Sequence, residues 1–380
     1  MAENLAPIPL LRRGDPAHRF HARALNGSQN YNFDLAAGRH LLLLFFGSAA
    51  EPASVAALQL VAANRSLFDD VSACFFGITT NPADETNQRI AQSLPGIRFF
   101  LDYDRRVSAL YGAAPGTVSG SHINRPHWVL LCPQLRVLAT YELDEGVSAL
   151  AHLSSVKGAE GRSQWAPVLS LPNVFEPELC QKLIQLYEQN GGQQSGFMRD
   201  EDGKTVLKID PTHKIRSDFR ITDMELRKSL VHRIHDRIIP EIQRAFQFNA
   251  TRIERYIVAC YDANDGGHFR PHRDNTTRGT AHRRFAVTIN LNADDYEGGN
   301  LRFPEFGPST YRASTGGAII FSCSLLHEAT PVTKGRRYAF LPFLYDDAAA
   351  AIREANNRFL GDDVGVYQVQ KTNSTQSANF

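Results

Sequence analysis

The sequence predicts two domains, an α/β domain in the N-terminal part and an α+β domain in the C-terminal part. The C-terminal domain is predicted to be a double-stranded β-helix, or jelly roll, with flanking helices. Three observations predict this architecture. The chain has 380 residues, more than one typical hydrophobic core organises. Predicted strands and helices alternate up to about residue 158. Residues 256–345 contain short predicted strands separated by Gly, Pro and Asn, as expected for a jelly roll.

The order of predicted elements in the N-terminal domain is typical of a thioredoxin-like fold. A βαβ alternation is followed there by a β-hairpin and a closing helix. The polar, glycine-containing segment 158–164 marks the boundary to the next domain. The predicted strands are 41–46, 71–79, 98–102, 129–132 and 137–141, and the predicted helices are 52–67, 84–94, 107–111 and 147–156.

Three segments of this domain resemble the peroxiredoxins. Gly14-Asp15-Pro16-Ala17 matches the opening of that family, residues 42–46 match its first core strand, and Arg125-Pro126 matches its later arginine segment. The departure is at the reactive cysteine, where residues 50–54 read Ala-Glu-Pro-Ala-Ser.

The serine at position 54 cannot replace a thiolate that is oxidised by peroxide. The cysteines at 74 and 132 are predicted within strands, where we expect inert core thiols. We therefore expect residues 1–160 to form a peroxiredoxin-like domain without peroxidase activity. Docking, assembly and stability remain open as its role, including a homo-oligomer formed through this domain.

The C-terminal domain contains a pattern of metal-binding residue types. His272 and Asp274 are separated by one residue, so on a strand their side chains point to the same face. His327 follows the strand predicted for 316–321. Two imidazole nitrogens and one carboxylate oxygen cover one face of an octahedral ion and leave three positions open, as in non-haem Fe(II) oxygenases.

An ordered set of residues resembles the prolyl 4-hydroxylase type of 2-oxoglutarate- and Fe(II)-dependent dioxygenase. The resemblance covers 167–345 and implies a dioxygenase domain over 165–346, with its cupin-like barrel beginning near 252, followed by a C-terminal helix and polar tail over 347–380. The residues that carry it are Tyr261, His272, Asp274, Gly298-Gly299, His327 and Arg337.

The resemblance also implies roles for these residues. His272, Asp274 and His327 would bind Fe(II) and form the catalytic centre. Arg337 would anchor 2-oxoglutarate, because the register of Arg337-Tyr338-Ala339 matches the anchoring strand of the family. Arg336 points to the opposite face of the same strand, so only one of the two can be the anchor, and the resemblance favours Arg337. Tyr261 would hydrogen-bond the co-substrate. L-ascorbate is expected as a further cofactor, because it returns ferric iron to the ferrous state.

The implied activity is an oxidoreductase that uses O2 to hydroxylate a prolyl or other residue of a protein or peptide, with release of succinate and CO2. Hydroxylation of a free amino acid or small metabolite remains open, because fold analogy cannot decide the substrate. A sensor or scaffold that binds iron and 2-oxoglutarate without turnover also remains open. A thiol peroxidase is disfavoured by Ser54.

Several positions near the predicted site remain ambiguous. Asn290 stands where many relatives carry a tyrosine facing the co-substrate, so we expect the polar wall of the pocket to differ. Arg283 and Arg284 could contact substrate or co-substrate, or lie on a solvated strand edge. His232 and His235 lie three residues apart on a predicted helix and are expected to be surface residues.

The segments flanking the barrel are predicted to be mostly helical. Helices are expected at 177–189, after a capping box at 222–225, and over 346–360. The polar segment 191–210 is predicted as a substrate flap or a plain surface loop, and the tail 371–380 as loose.

The composition of the chain limits its possible binding partners and its cellular compartment. A net charge of +1 gives no electrostatic basis for binding nucleic acid or membrane. The longest apolar run, 41–46, is too short to cross a bilayer. Five widely spaced cysteines indicate reduced thiols rather than a disulfide framework. The chain is therefore expected to be cytoplasmic.

Overall fold

The computed structural model describes residues 9–114, 116–118, 121–158 and 164–367. The chain divides into two compact units, Met1–Gln164 with Pro304–Pro308, and Trp165–Phe303 with Ser309–Phe380. The boundaries predicted at 160 and 165 remain predictions. The tail 371–380 and most of the linker 158–164 lie outside the described residues. Within the described ranges, no helix is both long and apolar enough to cross a membrane.

The first unit contains nine strands and four α-helices in its described residues. In chain order the strands are β1 His21–Ala24, β2 Tyr31–Asn32, β3 His40–Gly47, β4 Ala73–Thr79, β5 Ile97–Leu101, β6 Gly116–Val118, β7 Ser121–Ile123, β8 His127–Leu131 and β9 Val137–Glu142. The helices are α1 Pro52–Ala63, α2 Ala83–Thr86, α3 Arg106–Leu110 and α4 Gly146–Gly158.

The main sheet of this unit has the strand order β2-β1-β5-β4-β3-β8-β9. Strands β3, β4 and β5 are parallel, whereas β8 and β9 pair in antiparallel fashion. β3 and β4 are almost entirely buried, which explains their continuous apolar runs, because central parallel strands are covered on both faces. The predicted thioredoxin-like arrangement is confirmed by this topology.

The predicted helix 84–94 is wrong, because α2 ends at Thr86. The Asp84 carboxylate is buried and accepts hydrogen bonds from Thr79 Oγ1 at 2.6 Å and from the backbone of Ala49 at 2.9 Å. Gln88 then adopts a left-handed conformation with φ 52°, which an α-helix cannot continue. The irregular chain that follows leaves a cavity of about 370 Å³ beside α1, lined mainly by apolar side chains.

Ser54 lies in the first turn of α1, where the sequence placed it. Its side chain is buried, and its hydroxyl donates a hydrogen bond to the Phe46 carbonyl at 2.9 Å. Cys74 is buried in β4, and burial raises the pKa of its thiol to about 12, with the neighbouring Asp70 carboxylate acting in the same direction. A thiol held protonated is a poor nucleophile. Cys132 is half-buried just after β8 rather than within a strand.

We predict that the first unit does not reduce peroxide, because Ser54 cannot form a thiolate and its hydroxyl is engaged by the backbone. Peroxide consumption by the full chain with a thiol reductant should equal the buffer blank. Cys74→Ser and Cys132→Ser serve as matched variants. A measurable rate that disappears in either variant would show that another thiol carries the activity.

The second unit contains 18 strands, β10 to β27, and four α-helices in its described residues. The strands are β10 Leu169–Leu171, β11 Gln193–Gln194, β12 Phe197–Glu201, β13 Lys204–Lys208, β14 Lys214–Ile215, β15 Ser217–Arg220, β16 Arg252–Glu254, β17 Ile257–Asp262, β18 His268–His272, β19 Phe285–Asn290, β20 Glu297–Gly298, β21 Leu301–Arg302, β22 Thr310–Tyr311, β23 Ala318–Ser322, β24 His327–Ala329, β25 Val332–Lys334, β26 Arg336–Phe340 and β27 Phe343–Tyr345. The helices are α5 Pro177–Asn190, α6 Met224–Arg237, α7 Ile239–Phe246 and α8 Asp347–Ala355.

Two sheets of this unit form a jelly roll. The larger sheet contains β23-β19-β26-β17 in that order, and the smaller one contains β18-β24-β21-β22. From β17 to β26 the chain returns repeatedly from one sheet to the other, as a double-stranded β-helix requires. The fold class predicted from the short strands is confirmed by this topology.

Helices cover the outer face of the larger sheet. Side chains of α5, α6 and α7 pack in one hydrophobic core with alternate residues of the sheet, such as Val258 and Cys260 of β17. The intervening residues Ala259 and Tyr261 therefore face the barrel interior. This alternation decides which side chains are available to the site.

Two local predictions in this unit need correction. The N-cap of α6 is Asp223, whose carboxylate accepts from the Leu226 backbone at 2.6 Å, not the predicted Thr222. The segment 191–210 is an ordered antiparallel hairpin of β12 and β13, not a plain loop.

Candidate metal centre

The pairing of β18 with β24 places His272 directly opposite His327. Asp274 follows His272 by two residues, just beyond the end of β18. The structure brings a ligand atom of each of these three residues within 4.8 Å of the others. His272 Nε2 lies 3.6 Å from Asp274 Oδ1, and His327 Nε2 lies 3.3 Å from Asp274 Oδ2. The three predicted ligands thus form one cluster, and their role stays a prediction.

Backbone carbonyls orient both imidazole rings. His272 Nδ1 lies 2.8 Å from the Arg270 carbonyl, and His327 Nδ1 lies 3.0 Å from the Leu325 carbonyl. A carbonyl only accepts, so each Nδ1 carries the proton and donates it. In the neutral form of each ring, Nε2 then carries a lone pair directed into the cluster, as a metal ligand requires.

Burial sets the protonation states of the cluster. Burial, together with the neighbouring His327, lowers the pKa of His272 to about 4. Burial alone would raise the pKa of Asp274, but the adjacent His327 and His272 outweigh it and hold that pKa well below its usual value. Near neutral pH the site therefore offers a neutral His272 and an ionised carboxylate, the forms that coordinate metal.

Aromatic rings shield the two histidines. Phe269 stacks on the His272 ring with 3.4 Å between ring centroids. The Phe321 ring lies 4.6 Å from that of His327. These contacts exclude water from the imidazole faces and fix the ring planes.

Arg337 is a buried cation without a partner among the described residues. Its side chain is 3% exposed, and its Nε has no hydrogen-bond acceptor there. The guanidinium lies over the Tyr261 ring at 5.2 Å. Arg336 is half-exposed and pairs with Asp262 at 2.8 Å and with Glu188 at 3.1 Å. The two arginines thus lie on opposite faces of β26, as the sequence analysis assumed.

Two further residues near Arg337 and Tyr261 were not identified from the sequence, namely Tyr296 and Arg216. The Tyr296 hydroxyl is buried and has no partner in the described part of the chain. Tyr296 and Arg337 both lie against Gly299, where an added Cβ would come within 3.1 Å of Arg337 Cδ and 3.4 Å of Tyr296 Cε2. The Tyr261 hydroxyl accepts from Arg216 Nη1 at 3.4 Å. The only sequence signal for Tyr296 is its position just before the Gly298-Gly299 pair.

The structure shows the contacts of the positions that the sequence left ambiguous. Arg283 is buried and donates to Glu254 Oε1 at 2.8 Å, so the solvated-edge alternative is wrong for it. Arg284 is half-buried and donates to the Ala281 carbonyl.

Asn290 is also buried, and its side-chain amide donates to the Ala313 carbonyl at 2.7 Å. The amide group thus holds a neighbouring loop. His232 and His235 lie on the exposed side of α6 next to Asp236, as expected.

We predict that the protein binds one Fe(II) per chain through His272, Asp274 and His327. Removal of one imidazole leaves only two ligands, so His272→Ala and His327→Ala should each lose most of the iron after desalting. His232→Ala is the matched control, because this histidine is exposed. Metal analysis decides the matter, with circular dichroism to verify folding. Unchanged iron content in both site variants would contradict the assignment.

Comparisons with known proteins agree with this geometry. Residues 256–345 match the family model described as the 2OG-Fe(II) oxygenase superfamily. A procollagen-lysine,2-oxoglutarate 5-dioxygenase 1 of Mus musculus is 28% identical over 177 residues, which are 45% of this chain and 23% of the relative. A PKHD-type hydroxylase of Azoarcus sp. (strain BH72) is 30% identical over 124 residues, 31% of this chain and 53% of the relative. The chain thus spans about a quarter to a half of these relatives.

Solved structures resemble each part of the chain. The viral collagen prolyl hydroxylase of Paramecium Bursaria Chlorella virus-1 is 15% identical, with a TM-score of 0.37 over 48% of this chain and 97% of that chain. A peroxidoxin of Mycobacterium tuberculosis is 19% identical, with a TM-score of 0.33 over 38% of this chain and 98% of that chain. From the family match, we conclude that residues 256–345 form a domain of the 2OG-Fe(II) oxygenase superfamily.

Proposed function

We propose that the chain is an Fe(II)- and 2-oxoglutarate-dependent dioxygenase that hydroxylates a prolyl or other residue of a protein or peptide and releases succinate and CO2. One observation carries this proposal. The cluster of His272, Asp274 and His327 lies in the same barrel as Arg337, a buried cation without a partner in the described residues. A metal and a dianionic co-substrate together satisfy both features.

The donor set fits Fe(II). Two Nε2 lone pairs and one carboxylate oxygen converge, and the histidine orientation is already fixed by backbone carbonyls. Such a set leaves positions for co-substrate and O2. Bound Fe(II) would supply O2 activation coupled to the oxidative decarboxylation of 2-oxoglutarate. We propose L-ascorbate as the reductant that maintains the ferrous state.

The protein would hold 2-oxoglutarate through its distal carboxylate. An unpaired buried guanidinium is costly, and a carboxylate partner offsets that cost. Arginine suits this role because it stays charged when buried and can pair bidentately. Tyr261 lies against the guanidinium, and the Tyr296 hydroxyl, unpartnered among the described residues, supplies a further donor.

The relatives support a residue of a protein or peptide as the substrate. The name of the murine relative specifies a lysine of procollagen. A solved prolyl hydroxylase of Trichoplax adhaerens carries a peptide fragment of hypoxia inducible factor. A free amino acid or a small metabolite is the alternative substrate, and a scaffold without turnover is the alternative function.

The proposed compartment is the cytoplasm, because all five cysteines are free thiols, as in a reducing environment. We assign the first unit a role in assembly or stability, including homo-oligomer formation.

The proposal is tested by treating a cell lysate with the protein, Fe(II), 2-oxoglutarate and ascorbate, followed by mass spectrometry. We expect peptides or metabolites that gain one oxygen, accompanied by succinate. Asp274→Ala is the matched control and should give neither. If wild type and variant produce the same spectra, with no succinate, the activity is excluded under these conditions and the scaffold alternative is favoured.

We predict that Arg337, not Arg336, governs the affinity for 2-oxoglutarate. Loss of one partner of a buried, hydrogen-bonded charge pair costs ~2–5 kcal/mol. Arg337→Ala should therefore raise the dissociation constant for 2-oxoglutarate by one to several orders of magnitude, at about tenfold per ~1.4 kcal/mol. Anaerobic titration in the presence of Fe(II) measures this change. Iron binding should survive, because Arg337 is not among the clustered ligands.

The control is Arg336→Ala, which should weaken binding by less than about tenfold, because its surface ion pairs contribute little. Tyr296→Phe, which removes one hydroxyl, should weaken binding by about tenfold if the hydroxyl donates to the carboxylate. If Arg336→Ala is the more damaging change, the assigned role of Arg337 is wrong.

A further inference from the structure

A network of charged residues extends around the barrel interior beyond the metal cluster. It begins at Arg216, which pairs with both oxygens of Asp218, each at 2.7 Å. Ser195 Oγ bridges the pair by donating to Asp218 at 2.6 Å and accepting from Arg216 at 3.0 Å. Arg216 donates to the Tyr261 hydroxyl, and the Arg337 guanidinium lies over the ring of the same tyrosine.

Lys214 adds a second cation that no carboxylate of the described residues neutralises. Its Nζ donates to Ser195 Oγ at 2.7 Å and to the Gly196 carbonyl at 2.6 Å, both uncharged acceptors. It lies 4.8 Å from the centroid of the Phe269 ring, which stacks on His272. Burial and the charge of Arg216 hold the pKa of Lys214 well below its usual value.

Arg255 is the third cation, and its one ion pair is long. Its nearest carboxylate oxygen is Asp218 Oδ2 at 3.4 Å, an oxygen already bonded to Arg216. Its side chain is 25% exposed. Burial and the charge of Arg216 lower the pKa of Arg255 to about 10. Its φ of 72° is a strained conformation for a residue other than glycine.

The network adjoins the metal cluster through Phe343. The Arg255 guanidinium lies 5.2 Å from the centroid of this ring, and the Arg283 guanidinium lies 4.1 Å from it. Arg283 pairs with Glu254 and donates weakly, at 3.4 Å, to the backbone carbonyl of Asp274. Arg255 is thus one aromatic ring away from an arginine that contacts a proposed iron ligand.

The charges of this interior network do not balance. The side chains described above are five basic groups and three carboxylates, an excess of two positive charges, or of one if Lys214 is neutral; Arg353, 3.9 Å from Glu254, would add a further positive charge. Fe(II) and the 2-oxoglutarate dianion would cancel each other, so the excess remains after both bind. Buried charge without a counterion is costly. The members are Lys214, Arg216, Arg255, Arg283 and Arg337, with Asp218, Glu254 and Asp274.

We propose that a carboxylate of the substrate supplies the missing negative charge and that Arg255 binds it. The substrate is then acidic, either a peptide with Asp or Glu beside the hydroxylated residue or a free dicarboxylic amino acid. This inference rests on the proposed function. Arg255 is chosen because its guanidinium is partly exposed and has only one weak ion pair, so its remaining donors can pair with a carboxylate in a bidentate manner.

The test measures binding under anaerobic conditions with Fe(II) and 2-oxoglutarate, so that no turnover is needed. One pool of capped tripeptides has proline or lysine at the centre and Asp or Glu at its flanks, and the matched pool has Asn or Gln there. Free glutamate and aspartate are compared with glutamine and asparagine in parallel. Ultrafiltration with mass spectrometry gives the bound fractions for the wild type, Arg255→Gln, Arg255→Lys and Arg220→Gln, the last an exposed arginine on β15.

We expect the wild type to bind the acidic forms about tenfold to a hundredfold more tightly than the amides. The preference should vanish in Arg255→Gln, persist in part in Arg255→Lys and persist fully in Arg220→Gln. The pool that shows it, peptides or amino acids, identifies the source of the carboxylate.

Equal binding of acids and amides by wild-type protein that still binds Fe(II) and 2-oxoglutarate would overturn this inference and leave the proposed function intact. A preference that survives Arg255→Gln, in a variant that binds 2-oxoglutarate normally, would overturn the assignment to Arg255. Failure of the wild type to bind 2-oxoglutarate would overturn the proposed function and this inference together.

Discussion

The site depends on the antiparallel pairing of β18 with β24. That register places His272 opposite His327, and the turn after β18 brings Asp274 between them. A slip of one residue would turn either histidine to the other face of its sheet. The chain passes alternately between two sheets, and helices cover the outer face of the larger sheet. Both features hold this register. The positions of these three side chains therefore depend on the packing of the second unit as a whole.

The second constraint is electrostatic. The barrel interior holds charged side chains that are nearly or fully excluded from solvent, a situation that folded proteins accept only where the charges are paired or meet a ligand. Asp218 and Glu254 each form an ion pair with an arginine in the barrel interior. Arg337 has no hydrogen-bond or ion-pair partner in the described residues, which is why we propose it as the anchor for a co-substrate carboxylate. The burial of Arg337 thus connects the electrostatics of the barrel interior with the proposed binding of 2-oxoglutarate.

The sequence predicts those features of the fold and of the site that depend on local sequence pattern. Short strands separated by Gly, Pro and Asn predicted the jelly roll within residues 256–345. The His-X-Asp spacing identified two members of the cluster, because strand geometry directs alternate side chains to one face. The third member, His327, came from the predicted barrel, and the choice of Arg337 over Arg336 came from resemblance; the roles of both residues stay predictions. Fold class in both halves is likewise set by the order of elements.

The remaining features depend on long-range contacts that no local pattern reports. The helix predicted at 84–94 fails because Asp84 is drawn into hydrogen bonds with Thr79 and Ala49. The buried state of Arg283 depends on Glu254, which lies on a different strand. Tyr296 gains significance only because Gly299 lets it approach Arg337. In each case the deciding partner is distant along the chain or fixed by backbone conformation.

The central claim is that the metal cluster and Arg337 act on the same 2-oxoglutarate molecule. The most direct measurement is the release of CO2 from 2-oxoglutarate labelled at C1, by purified protein with Fe(II) and O2. The account predicts equal amounts of labelled CO2 and succinate from the wild type and from Arg336→Ala at saturating co-substrate. It predicts almost none from Asp274→Ala, and release from Arg337→Ala only at much higher 2-oxoglutarate concentrations. Release by Asp274→Ala at the wild-type rate, or by Arg337→Ala at the wild-type concentration, would contradict it.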